Sequence, residues 1–569
     1  MRERYLDLME QAVGAYTDEQ IAAYTESVLK DGLREHGYPR LTANIGILLA
    51  HGRNRSRMEQ FPIMMELCCR GLLTSKQNAG FGAGNDFSVK EIVCCLEEIE
   101  RAALYPESLT KSWRDLLRQI DPYRTYSCIA PVPPKPVMNW AAFAAVSEQM
   151  RIEAGIGNES AFVENQIQSQ LYNFDDNGMY RDPNEPMVYD FVTRLQLALA
   201  LDAGYDGEGR QRLEEYLDRA ALPTLWMQSI SGEIPFGGRS NQFLHNETFF
   251  AALCEFYASR YAKRGDLILA GEFRRAARSA VESIAFWLEQ SPVRHIKNRF
   301  PAESRFGCED YGYFEKYMVT MGSWAYLAFR FADDSIEEFP CPCETGGYIW
   351  EPGPHFHKIF LSAGEYSVEI DTNADPHYDA SGIGRIHRKG APSALVLSVP
   401  FAEHPEYEIP SPNPGPLSIS LGTERDGNLH FASEPGSSYS LDSEKTEATS
   451  EKATIFLRLQ LTDGTELIER VSVGSDGVLI TGEGEGTILA EFPVFLTDGE
   501  TDTQILREDN CVTVTYRGWK AVYLTEDTVC DTGEIYANRN GIYRRFLVKG
   551  HERICLKVQF EPNPESRIL

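Results

Sequence analysis

The sequence predicts a two-part protein: an N-terminal (α/α) toroid or barrel of paired helices, followed by a C-terminal antiparallel β-sandwich. Three observations predict it. Helical spacing of apolar residues runs through roughly the first 335 residues, with strand signals essentially absent. Period-two runs separated by Asp-Gly turns fill the remainder. The pattern changes once, near Glu338, so helices and strands are segregated into separate layers with a cleft between them.

Amphipathic helical patterns cover approximately 3–15, 18–36, 58–73, 88–104, 109–119, 138–154, 158–173, 187–204, 209–221, 242–264, 267–289 and 313–332. Gly, Pro, Asn and Asp punctuate them, as in Ile129 to Pro136 and Asp175 to Pro186. Helices of similar length joined in this way pack as antiparallel pairs that stack or close into a ring. No repeat of fixed period points to a solenoid instead. The predicted helical domain is 1–337, and 338–354 reads as a linker, with Pro340-Cys-Pro-Cys-Glu-Thr-Gly-Gly347 and Pro352 to Pro354 stiffening it. The predicted β domain is 355–569. Its strands are Tyr366–Ile370, Ala394–Val399, Leu417–Leu421, Ala453–Leu461, Leu467–Val473, Gly477–Ile480, Cys511–Tyr516 and Ile554–Phe560. Asp426-Gly427, Asp463-Gly464, Asp476-Gly477 and Asp498-Gly499 supply hairpin turns.

At 569 residues, 43% hydrophobic and 24% charged, the chain has the composition of a globular protein with large cores. A net charge of −29 argues against nucleic acid or an anionic membrane as partner. It argues less against a small anion, because a local basic pocket overrides the global field. The opening MRERYLDLME has no apolar export segment, and no run reaches the ~18–20 apolar residues of a membrane span. The 12 cysteines are scattered through helical patterns, unlike a disulfide framework. A cytoplasmic protein is expected, with short imported molecules as its substrates and a homo-oligomer as one arrangement of so large an acidic chain.

The stretch Ser231-Gly-Glu-Ile-Pro-Phe-Gly-Gly-Arg-Ser-Asn-Gln-Phe-Leu-His-Asn-Glu247 is the strongest site candidate. Glycine and proline set a tight path into a polar cluster of Arg239, Asn241, Gln242, His245, Asn246 and Glu247. With Ser240 or Asn241 as cap, Asn241 and His245 share one face of the following helix, as do Gln242 and Asn246. Folding alone does not require that density of polar groups, although a capped helix with a satisfied buried histidine is the plainer alternative.

Three further segments carry chemistry. In Asp175 to Asp190 a polar turn delivers Tyr180, Arg181 and Asp182, and Tyr189-Asp190 opens a helix. Tyr189 could donate a proton, while Asp190 could be a base or a first-turn acid. Arg294-His-Ile-Lys-Asn-Arg-Phe-Pro301 with Arg305 gathers basic side chains around His295. Tyr311, Tyr313 and Tyr317 follow, and together they could form an anion-binding surface with stacking faces, or a solvated basic loop. The loop Asp371 to His387, with His377, Tyr378, Asp379 and Arg385, could reach across the cleft or merely brace the domains. Trp140, after Asn139 at a helix start, could stack on a sugar or sit in the core. His355-x-His357 lacks the companions of a zinc site. P-loop, dinucleotide-binding and Gly-x-Ser-x-Gly motifs are all missing.

Helices first, a β-sandwich second, and abundant aromatics resemble the heparinase II/III-like polysaccharide lyases and related (α/α)-barrel glycoside hydrolases acting on uronic acids. Asn241-x-x-x-His245 with Asn246, and Asn177-Gly-Met-Tyr180 leading to Tyr189, look like that group's Asn/His/Tyr sets. The adjacent Asn-His order common there is reversed here as His245-Asn246. The resemblance implies β-elimination on an anionic oligosaccharide. Asn241, Asn246 or Arg239 would neutralise the uronate carboxylate. His245 or Tyr189 would take the C5 proton, and a Tyr or His, His377 included, would protonate the leaving O4. Gln242, Trp140, His295, Tyr311, Tyr313, His377 and Arg385 complete the implied binding set. No metal or organic cofactor is implied, which leaves only a structural divalent ion in the β domain to consider. The alternative is a glucuronidase-type hydrolase using a carboxylate pair such as Asp190 and Glu247. A non-catalytic glycan-binding protein stands behind both.

Overall fold

A computed structural model describes every residue except 402, 404, 410–412 and 564–569, so the last six residues of the expected β domain lie outside the described residues. Among the described residues, six helices close a ring: Gly37–Ala50, Asn85–Arg101, Trp140–Glu153, Met187–Asp202, His245–Arg264 and Phe314–Phe331, the last packing back onto the first. Other helices back this ring from outside. Arg2–Gly14 lies on Phe314–Phe331, Phe61–Ala79 on Gly37–Ala50 and Asn85–Arg101, Ser160–Gln170 on Trp140–Glu153, and Leu267–Ser283 on His245–Arg264. This is the expected (α/α) toroid.

The inner helices are buried nearly all round; Ala141 to Arg151 is an unbroken buried run. That explains the main miss among the predicted helices. Gly37–Ala50 carries the sequence GYPRLTANIGILLA, of which every residue from Gly37 to Leu49 is buried, so it has no polar stripe to betray it. The pattern read as 18–36 ends at Asp31 instead. Outer helices such as Glu107–Leu117, which buries only Thr110, Trp113 and Leu117, show the amphipathic stripe plainly.

The first strand is Tyr348–Trp350, and it begins an antiparallel four-stranded sheet with Lys358–Ala363, Tyr366–Asp371 and Gly382–Arg388. The remaining described strands form a 12-stranded antiparallel sheet built around the long pair Gly477–Thr497 and Gly541–Pro562. Register shifts between Glu483 and Thr487 and between Phe495 and Thr497 let these strands bend. Ile359, Leu361 and Val368 of the smaller sheet share one core with Ile455, Val471, Ile480 and Phe492 of the larger, making a sandwich. The strand expected over Ala394–Val399 is instead a short 3-10 turn followed by isolated bridges at Leu397 and Val399. Phe236, from the loop before the fifth inner helix, inserts into the sandwich core and ties the two halves together.

Candidate active site

All six inner helices point their N-terminal ends at one cavity of about 460 Å³. His36 and Arg40 stand at the start of the first inner helix, Phe87 on the second, and Asn139, Trp140 and Phe143 on the third. Val188, Tyr189 and Val192 come from the fourth, His245 and Phe249 from the fifth, and Lys316, Tyr317, Thr320 and Trp324 from the sixth. Helix N-termini carry partial positive charge, so this arrangement favours anions before any side chain is counted.

The loop 235–244 forms one wall. Gly237 and Gly238 hold φ of +93° and +79°, and a side chain at Gly237 would collide with the Asp379 carboxylate, which explains the glycines there. Ser240 and Gln242 adopt φ of +60° and +67° without being glycine, a strained path held by neighbours. Ser240 N–H donates to Glu309 Oε1 at 2.6 Å, and Ser240 Oγ hydrogen-bonds both the Tyr189 hydroxyl at 3.0 Å and the Tyr311 hydroxyl at 2.8 Å. Glu309 is gripped in turn by Arg539 at 2.6 and 2.8 Å, and Arg539 belongs to the turn between strands Val529–Asn538 and Gly541–Pro562. The next turn residue, Asn540, donates to Gln242 Oε1 at 3.0 Å. The sandwich therefore supports the cavity wall from below.

Electrostatics sort the groups in the cavity. The Arg239 guanidinium is ion-paired to Asp182 and lies 4.3 Å from the Tyr189 ring centre. Burial raises the Tyr189 phenol and Arg239 opposes that rise. Burial likewise pushes Asp182 up, with Arg239 pulling it back. His245 stacks on Phe243 at 5.5 Å and faces Tyr317 at 5.0 Å, and its Nδ1 is buried without a hydrogen-bond partner. Burial, then the Arg40 and His295 charges, hold His245 well below the usual histidine range, so it stays neutral near pH 7. Trp140 stacks on Phe81 at 4.3 Å and 5°, an aromatic platform at the rim.

Of the residues expected from sequence, His245, Tyr189, Arg239, Trp140 and Tyr311 line this cavity. Others do not. The fifth inner helix begins at His245, so Asn241 and Gln242 precede it and share no helical face with His245 and Asn246; the residue at the cap position is Leu244. Asn241 is buried, donating to Pro235 O at 2.8 Å and accepting from Gln242 Nε2 at 2.6 Å. Asn246 is buried and donates to Ser240 O at 3.2 Å.

Glu247 and Asp190 lie outside the lining, each consumed by an internal cation. Lys297 Nζ sits 2.7 Å from Glu247 and 2.8 Å from Glu233, whereas Arg194 holds Asp190 at 2.6 and 2.8 Å. The expected basic surface at 294–305 is mostly interior: Lys297 and Arg294 are buried, and His295 bonds Gly312 O at 2.7 Å. Tyr313 is exposed and lines a neighbouring groove. His377 pairs with Asp375 at 2.7 Å away from the cavity, and Arg385 donates to Ile234 O at 2.6 Å and pairs with Glu369. The 371–387 loop thus braces the domains.

His36, Arg40 and Lys316 also line the cavity, although no motif in the sequence marks them. The signal for the first two was a histidine and an arginine opening an otherwise apolar run. Among the described residues no group of three or more His, Cys, Asp or Glu is placed to hold a metal ion, and no helix is long and apolar enough to cross a membrane.

No protein-family model matches the chain, and no curated protein does. Solved structures do resemble it. Heparan sulfate lyase HepC from Pedobacter heparinus is 10% identical over 92% of this chain and 75% of that one, with a TM-score of 0.44. A chondroitinase AC lyase is 9% identical over 99% and 84%, with a TM-score of 0.40. A GH127 β-arabinofuranosidase is 8% identical over 99% and 92%, with a TM-score of 0.35. All three likenesses are remote, at 10% identity or less.

Proposed function

We propose that the protein cleaves uronic-acid-containing oligosaccharides by β-elimination. One observation carries this reading: six helix N-termini and the cations Arg40, Arg239 and Lys316 surround a cavity whose lining, among the described residues, includes a single carboxylate, Asp182, already paired to Arg239. Such a cavity suits an anionic substrate in a chain of net charge −29. Hydrolysis with two carboxylates would need a second acid facing the same bond. The Asp190 and Glu247 pair does not supply it.

Elimination asks for three things that the lining residues can provide. The proton at C5 of a uronate becomes acidic only when the adjacent carboxylate is neutralised, a task suited to Arg239 and the Asn139 amide. A neutral imidazole at His245 accepts that proton. The C5–H electrons form the C4=C5 double bond as the C4–O4 bond breaks, and O4 takes a proton from the Tyr189 phenol, whose acidity Arg239 strengthens. The Trp140–Phe81 platform would hold the sugar ring by stacking. No step requires a metal or organic cofactor, and a chelator is expected to leave the rate unchanged.

The test is incubation with uronate-containing oligosaccharides while following the ultraviolet absorbance of the unsaturated uronate. Wild type should generate that absorbance, and His245→Ala should lower the rate by about 10²–10⁴-fold with the fold intact. New reducing ends without the absorbance would sink the lyase reading in favour of hydrolysis.

A further inference from the structure

The cavity has two layers. Its mouth carries the polar groups, among them Asn139, Tyr189, Arg239, His245 and Tyr317 near the helix starts. Deeper in, the lining changes character. Val192, Phe249, Thr320 and Trp324 lie between about 6 and 15 Å along their helices, at 1.5 Å per residue. Phe87 and Phe143 join them, so that four inner helices each bring one aromatic ring to a common floor. Ring centres are 4.6 Å apart for Phe87 and Phe143, 6.3 Å for Phe143 and Trp324, and 6.4 Å for Phe249 and Trp324.

This floor differs from the rim platform in shape and in chemistry. Trp140 and Phe81 are parallel within 5°, which presents one flat face to a sugar ring. The floor rings meet at 73°, 57° and 90° and form a cup, which fits a compact apolar group. The floor also lacks free acceptors for sugar hydroxyls. Thr320 donates to Lys316 O at 2.7 Å and accepts from Arg40 Nη1 at 2.6 Å, and Arg40 Nε is held by Glu91 at 3.1 Å. The indole Nε1 of Trp324, buried and unpartnered, is a donor. A sugar ring pushed down there would bury hydroxyls without acceptors, which is costly. An apolar group gains by leaving water and by filling space that the four rings otherwise leave without contacts.

We infer that the floor is a pocket for an apolar substituent, an aryl or short alkyl group carried by the sugar at the mouth. The inference rests on the mouth taking a uronate, and it names the substrate class as short uronides that end in such a group rather than the interior of a long chain.

The experiment is calorimetric titration of the full chain in a His245→Ala background, which stops turnover. The probes are methyl 1-thioglucuronide, phenyl 1-thioglucuronide, and methyl 1-thioglucuronide benzylated on O4, which carry an aryl group at neither end, at C1 or at C4. One aryl uronide should bind about tenfold or more tightly than the methyl one, as burial of a phenyl ring implies. Its binding should also have a more negative heat capacity, a readout that needs no further variant. The end that gains is the end that faces the floor. Val192→Trp, which fills the floor, should bring the ratio of affinities back toward one, and Val192→Ala should retain it. No gain from either aryl group, a gain with unchanged heat capacity, a gain that survives Val192→Trp, or failure to bind any probe overturns the inference. Phenyl 1-thioglucoside separates the two layers. If it binds as tightly as the phenyl uronide, the mouth does not read the carboxylate, and the uronate reading fails while the floor pocket stands. Unsaturated product from wild type with no aryl gain removes the floor pocket and leaves the lyase reading standing.

Discussion

Replacing Arg539 by Met removes the only cation within ion-pair reach of Glu309 among the described residues, and both side chains are buried. Arg539 makes two bonds to that carboxylate and one to Gly307 O at 2.9 Å. Breaking one partner of such a buried pair costs about 3–5 kcal/mol, because the other charge is stranded. The loss is not confined to stability. Glu309 holds the Ser240 amide, and Ser240 carries both tyrosine hydroxyls on a backbone at φ +60° whose strain is of order 1–3 kcal/mol. Once the carboxylate is free to move, the loop relaxes, and a shift of about 1 Å at reacting groups costs ~10²-fold in rate. Chemical unfolding and the unsaturated-uronate absorbance assay read the two effects separately. Adding Glu309→Gln removes the stranded charge, so the double variant should recover much of the stability while activity stays low, the loop having lost its anchor. If Arg539→Met unfolds within 1 kcal/mol of wild type and turns over normally, the sandwich does not brace the site and this reasoning fails.

Two further outcomes are expected. Trp140→Ala removes half of the rim platform and should raise KM about 2–12-fold with little change in kcat, as loss of a ~0.5–1.5 kcal/mol aromatic contact implies; an unchanged KM would place Trp140 outside the sugar's path. His295 is pushed down to about 4, chiefly by burial, with its bond to the Gly312 carbonyl opposing. Below the ordinary value of ~6.5 the unfolded chain takes up a proton that the native one refuses, so stability falls as pH drops from ~6.5 toward 4. Between pH 7 and pH 5 that loss is ~2 kcal/mol, and His295→Gln should be free of it. Urea unfolding at both pH values should therefore show the gap between wild type and variant shifting by that amount in the variant's favour, whereas parallel changes would count against a buried neutral His295.

How much of the site was legible follows from which residues needed partners. Arg239 and His245 were visible because a Gly-rich loop runs into a polar cluster there, although the fold spends Asn241, Gln242, Asn246 and Glu247 of that cluster on internal bonds. Tyr189 and Trp140 were visible as polar or aromatic groups at helix starts, which is where the ring gathers its cavity. Glu247 and Asp190 looked equally chemical; nothing local marks Glu247 as spent, whereas the i,i+4 spacing of Asp190 and Arg194 was a local sign of an ion pair. Their cations come from Lys297, fifty residues on in the chain, and from Arg194, one helical turn away. His36 and Arg40 escaped because their helix is buried all round and shows no amphipathic stripe.

The sequence by itself determined the order of the architecture, helices then antiparallel strands, since apolar periodicity is a local property that each segment carries alone. It also marked the loop before His245 as a candidate site, and Arg239 and Ser240 of that loop line the cavity. The tertiary structure alone decided that six helices close into a ring with their N-termini turned to one cavity. It decided, too, which charges meet a counter-ion inside the protein and which remain facing that cavity. Apart from pairs one helical turn apart, such as Asp190 with Arg194, burial and ion pairing depend on neighbours tens to hundreds of residues away, and no local pattern encodes those distances.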